Sequence, residues 1–188
     1  MHIHDKEQRY GRNKNTQINH SYINSSAYRR KFDNITDSPE LNRLIYQMAK
    51  EMLIHRSGTL IEDMCWIDSD SETVIYYKND ETDQQIIHVT DAIEKKLNNY
   101  QLIIPIHTHP SSMPPSPVDF NCMLDDKYII GIVLCHDGKI FIYSSNKRID
   151  SDLWSKYVEI FLYDGYDEYE AQILALEKFQ DDIDFEEV

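Results

Sequence analysis

Apolar residues recur at helical spacing soon after Ser38-Pro39, with Leu41, Leu44, Ile45, Met48 and Met52 on one stripe. Ser38 suits an N-cap and Pro39 the first helical position, while Gly58 supplies the stop just after His55. The period then shortens. Residues 61–67 and 73–77 read as a strand pair around Asp68-Ser-Asp-Ser, and residues 85–89 as a short strand. Thr90 or Asp91 caps a short helix with Ile93 and Leu97 on one face. Residues 102–107 are strand-like, and Pro105 inside them predicts an edge position or a bulge. Residues 116–128 read as a helix, and 129–135 with 139–143 as a hairpin around His136-Asp-Gly138. After Ser151 two helical patterns follow, one carrying Leu153, Trp154, Val158 and Phe161, the other Tyr169, Ile173, Leu176 and Phe179. The closing acidic run DDIDFEEV reads as a solvated tail.

This order of elements predicts an α/β (α+β) fold with a mixed central β-sheet flanked by helices. Residues 1–37 lack a sustained period and read as a polar, extended N-terminal arm, packed in places by Tyr22, Tyr28 and Phe32. Residues 38–150 form the expected domain, and 151–188 the C-terminal helices and acidic tail. A chain of 188 residues suits one domain with a real core. The net charge of −14 repels phosphate backbones, so a nucleic-acid partner is not expected. Three cysteines without a CxxC pair argue against a disulfide scaffold and a cysteine zinc knuckle. No apolar run spans a bilayer and no apolar leader opens the sequence, so the expected setting is cytoplasmic, without a membrane partner.

The candidate chemistry lies in IIPIHTHPSSMPPSPVDF, residues 103–120. Side chains alternate across a strand, so His107 and His109 point the same way. Asp119 falls in the first turn of the next helix, after Ser116-Pro-Val. Two imidazoles, one carboxylate and an open fourth position are the donor set of a catalytic Zn2+ site. Ser116 to Asp119 also has the form of a capping box, which is compatible with that role.

HTHP followed by SPVD resembles the motif of the JAMM (MPN-plus) zinc metalloproteases, His-x-His-Pro, a short spacer, then Ser-x-x-Asp. The resemblance covers roughly residues 38–145 and implies an MPN-type, cytidine-deaminase-like architecture. It also implies hydrolysis of a peptide or isopeptide bond, often at a ubiquitin-like tail. His107, His109 and Asp119 would hold the metal, and Ser116 would polarise the reacting oxygen. A glutamate on an earlier strand would act as general acid/base through a zinc-activated water. Of the glutamates that precede the motif, Glu51 and Glu62 are the candidates. Glu62 opens the stretch EDMCWID, which is similar to the corresponding strand of RadC-type relatives, and is preferred; Asp63 is expected on the opposite face, solvating an edge. The spacer of five residues between Pro110 and Ser116 is one shorter than is common in the family, which bears on the loop's shape.

A non-catalytic MPN-type scaffold is the alternative. YINSSAYRRKFDNIT and the following HRSGT segment are similar to phage head-morphogenesis proteins, which implies phage or mobile-element particle proteins as partners. A zinc nucleotide deaminase would need His-x-Glu and Pro-Cys-x-x-Cys, and neither occurs. His2 and His4 could bind a metal but read more simply as exposed residues near the start of the sequence, and His55, His88 and His136 are isolated, His136 being expected on the surface of a hairpin turn. Cys122 lies one turn after Asp119, close enough in pattern to approach the metal, but reads more simply as a small buried helix residue; Cys65 and Cys135 read as core.

Overall fold

A computed structural model describes residues 16–84, 87–125 and 127–188. His2 and His4 lie outside the described residues, as does the start of the strand expected at 85–89. The remaining residues of that segment, 87–89, are in no regular element.

Asn19 and Ser25 cap two short helices, α1 (His20–Ile23) and α2 (Ser26–Arg30), by accepting the backbone N–H groups of Tyr22 and Tyr28. These are not an extended arm. Ile23, Tyr28 and Phe32 are buried together with the apolar stripe of α3 (Pro39–Arg56), whose N-cap is Ser38 as the sequence indicates. Gly58, at φ +81°, turns the chain after α3 in the left-handed conformation that glycine adopts without strain.

Two strands follow, β1 (Met64–Asp68) and β2 (Thr73–Lys78). Next come α4 (Asp91–Leu97), capped by Thr90, and β3 (Ile103–His109). Then come α5 (Pro117–Cys122), β4 (Gly131–Cys135), β5 (Ile140–Ser145), α6 (Ser151–Tyr163) and α7 (Glu168–Leu176). A single 3-10 turn (Glu177–Phe179) leads into β6 (Ile183–Glu187). The six strands form one sheet in the order β2-β1-β3-β4-β5-β6, with β3 and β4 parallel and the other pairs antiparallel.

Strand alternation divides the core between two faces. Cys65, Ile67, Ile104, Ile106, Ile132 and Leu134 point toward α1–α3. On the other face, Trp66 and Ile103 pack with Ile93 and Leu97 of α4, while Val133, Phe141 and Tyr143 pack with α5–α7. The fold is thus a mixed α/β sandwich with helices on both faces. The second face holds two separate clusters, and the candidate site lies between them. No helix among the described residues is long and apolar enough to cross a membrane.

Several elements differ from expectation for identifiable reasons. Pro105 sits in the interior strand β3, not at an edge, opposite Trp66. Ile106 is three positions after Ile103, whereas its partner Ile132 is four positions after Tyr128, the partner of Ile103. The register to β4 therefore slips by one beside Pro105, where no N–H is available to the ladder. Helix α5 stops at Cys122 instead of continuing to Tyr128, because the chain must return for Tyr128 to bridge Ile103. The acidic C-terminal run is not a free tail: residues 183–187 pair with β5 and bury Ile183. His136 is buried, not exposed, with Nδ1 2.5 Å from the Thr16 carbonyl oxygen. Cys122 is exposed, not buried, while Cys65 and Cys135 are core residues.

Candidate metal centre

His107 and His109 project from the C-terminal end of β3 on the face opposite α3. Their Nε2 atoms are 3.0 Å apart. Asp119 reaches them from the first turn of α5, its Oδ1 3.3 Å from His107 Nε2 and its Oδ2 3.7 Å from His109 Nε2. All three donor atoms lie within 4.8 Å of one another.

The residues around the triad aim it. His109 Nδ1 lies 2.9 Å from the Met113 carbonyl oxygen, which can only accept, so Nδ1 carries a proton and Nε2 faces the centre. The loop supplying that carbonyl is packed down: Met113 is fully buried, and the Ser112 hydroxyl accepts the Asp137 N–H at 3.0 Å. Asp119 is held by the capping box. Its Oδ2 accepts the Ser116 N–H at 2.7 Å and the Ser116 hydroxyl at 2.8 Å, which leaves Oδ1 turned toward His107. Burial works against the carboxylate's charge, but His107, His109 and the Ser116 N–H outweigh it and hold the carboxyl well below the usual range.

These distances suit a small divalent ion. Donors about 2.0–2.1 Å from a tetrahedral zinc lie roughly 3.3 Å from one another. The imidazole nitrogens are 3.0 Å apart and Asp119 Oδ1 is 3.3 Å from His107 Nε2, both near that value. Two imidazoles and a carboxylate are also a donor set that zinc accepts.

Glu62 lies just before β1, outside the strand that the sequence suggested for it. Met64 pairs with His107, and the Thr108 N–H bonds the Asp63 carbonyl at 3.1 Å, so the antiparallel register carries Glu62 opposite His109. Glu62 lines the cleft together with His107, His109, Ser116 and Asp119. Glu51 is exposed on α3, whose packing is on the other face of the sheet, and does not line this cleft. Asp63 points away from Glu62, as strand alternation requires, but solvates no edge. Its carboxylate is fully buried and accepts from Arg56 Nε, from Tyr77 Oη at 2.6 Å and from His55 Nδ1 at 2.8 Å.

The Ser116 hydroxyl donates to Asp119 within the protein, so its visible work is to orient that carboxylate. Cys122 lines the cleft, and burial followed by the nearby Asp119 charge pushes its thiol up. Sequence reasoning missed Tyr143. Its ring crosses β4 above Gly131 and meets the His107 ring edge-to-face, with centroids 6.3 Å apart. A glycine opening an otherwise branched strand, Gly131-Ile-Val-Leu, was the available signal.

Fold and site thus define a mixed α/β protein carrying a His-His-Asp group at the C-terminal end of a central strand. No family model matches the sequence, and comparison with curated proteins and with solved structures gives no significant match.

Proposed function

We propose that the protein is a zinc-dependent metallopeptidase or isopeptidase with an MPN-type layout. The observation that carries this reading is the convergence of His107 Nε2, His109 Nε2 and the Asp119 carboxylate within 4.8 Å, in a cleft that also holds Glu62. Three protein donors with an open side are the arrangement of a catalytic centre, whereas structural zinc sites are closed by four.

Zinc held there supplies Lewis acidity toward an amide carbonyl and a nucleophile at neutral pH. Glu62 accepts a proton from the attacking water and returns it to the leaving nitrogen, so the carboxylate is regenerated each cycle. Met113 keeps His109 in the tautomer that binds metal, and Ser116 keeps Asp119 turned toward the imidazoles. The three free thiols, two of them in the core, suit a reducing compartment such as the cytoplasm.

The test is elemental analysis of purified wild type and Glu62→Gln, followed by incubation of both with a peptide library. The expected result is about one zinc per chain in each protein, with cleavage at least about 100-fold slower in the variant. Absence of stoichiometric zinc after reconstitution refutes the proposal and favours a scaffold role, and equal cleavage by both proteins refutes Glu62 as the general acid/base.

A further inference from the structure

The cleft does not end at the triad. The side chains that follow Glu62 on the same face of β1 are Met64 and Trp66, opposite His107 and Pro105. Successive positions on one strand face are about 7 Å apart. A largely apolar trough therefore runs away from the three donor atoms over the paired strands β1 and β3. Val89 and Val118 form its rim, and they are 44% and 54% exposed in a chain of net charge −14. The cavity measures about 220 Å³, far more than a glycine residue needs. Its only carboxylates among the described residues are Glu62 and Asp119, both at the triad end, and its other polar groups include the Ser116 hydroxyl, the Cys122 thiol, the triad imidazoles and the phenols of Tyr128 and Tyr143.

Building on the peptidase reading, we infer that this trough is a specificity pocket for a bulky apolar side chain on the residue adjoining the scissile amide. The substrate class is thus a peptide with Leu, Ile, Met or Phe beside the cleaved bond, in contrast to a glycine-ended ubiquitin-like tail. Burying such a side chain against Met64 and Pro105 gains free energy in proportion to the apolar area removed from water. An acidic side chain would meet the Glu62 and Asp119 carboxylates, and a lysine would have to lose its hydration against methyl groups. The exposed rim valines are otherwise unexplained by packing, since neither belongs to a core cluster.

The experiment separates the pocket from the chemistry. Methyl-labelled full-length protein is titrated with N-acetyl-leucinamide, N-acetyl-phenylalaninamide and N-acetyl-glycinamide, with and without zinc, and the methyl resonances of Met64, Val89 and Val118 are followed. The apolar amides are expected to shift these signals with at least tenfold higher affinity than the glycine amide. Val118→Asp, at an exposed rim position, should abolish the difference while the spectrum remains that of a folded protein. Equal response to all three amides, or no response at these methyls, overturns the inference. Selective binding without cleavage of any peptide by the zinc-loaded protein leaves the pocket standing and removes the peptidase reading. Cleavage confined to glycine-flanked bonds does the reverse.

Discussion

Asp63, just before β1, and Thr108 of β3 clasp each other: the Asp63 N–H donates to Thr108 Oγ1 at 2.9 Å, and the Thr108 N–H donates to the Asp63 carbonyl at 3.1 Å. Glu62 precedes one partner, and His107 and His109 flank the other. The clasp thereby sets the proposed proton carrier against the two imidazoles of the candidate metal centre. Thr108→Val keeps the shape but leaves the buried Asp63 N–H unpaired, at a cost of about 1–3 kcal/mol. Asp63→Ala leaves the buried Arg56 guanidinium without its carboxylate, at a cost of about 3–5 kcal/mol. Urea denaturation of both variants checks the ranking, and a smaller loss for Asp63→Ala than for Thr108→Val contradicts it.

How much of this was legible follows from the range of each interaction. The triad was readable because its geometry is local: alternation along one strand aims His107 and His109, and a four-residue capping box places Asp119. The helices that open with Ser38-Pro39 and Thr90 were readable for the same reason. Asp63 was misjudged because its partners, His55, Arg56 and Tyr77, arrive from a helix and a neighbouring strand that only tertiary docking supplies. The last strand was hidden by its acids. Ile183 and Phe185 do alternate with charge, but two apolar residues among five acids at the chain end look like a tail until β5 provides a partner.

Metal binding should be visible in stability before any substrate is known. An ion that binds the folded chain alone adds about 2.7 kcal/mol at a free concentration 100 times its Kd. Zinc is therefore expected to raise the melting temperature of wild type and of Glu62→Gln. It should leave His107→Ala and Asp119→Ala unmoved, since each has lost one of three protein donors. Differential scanning calorimetry with a chelator control measures this, and an equal zinc response in all four proteins would remove the triad as the binding site.

The depressed Asp119 carboxyl predicts a particular acid response in the chelated protein. Its unfolded value is about 3.9. In the acid range the unfolded chain binds a proton that the folded chain refuses, so stability rises with pH there. The contribution from this residue is fully present above the unfolded value and is lost as pH falls below about 4. Urea midpoints measured from pH 6 down to pH 3 should fall less steeply for Asp119→Asn than for wild type. Parallel curves would show that the triad does not hold this charge when metal is absent.

The three thiols should sort by burial. Cys122 is exposed at the cleft, whereas Cys65 is buried, its thiol pushed up to about 12 chiefly by desolvation, and Cys135 is raised well above its ordinary value by burial. Reaction requires the thiolate and access to it. One cysteine per chain is expected to react with a disulfide reagent in the native protein at pH 8, and three after denaturation. Peptide mapping should place the native label on Cys122. Labelling of Cys65 or Cys135 at a comparable rate contradicts the packing of the central sheet.

Gly131 and Tyr143 should prove energetically inseparable. A Cβ added at Gly131 would lie 2.2 Å from Tyr143 Cζ, far inside van der Waals contact, so Gly131→Ala must push the ring off β4. Overpacking of this kind costs about 1–3 kcal/mol. The displaced ring also leaves its edge-to-face positions against His107 and Phe120, so zinc affinity should fall along with stability. Tyr143→Ala alone opens a cavity and is destabilising for a different reason. In the double variant the new methyl no longer clashes with a ring, and its cost should nearly vanish. A double-mutant cycle by urea denaturation therefore has a defined sign: the combined loss must be smaller than the sum of the single losses. Additive losses would mean that Tyr143 does not lie across Gly131, and the cleft wall beside His107 would then need a different occupant.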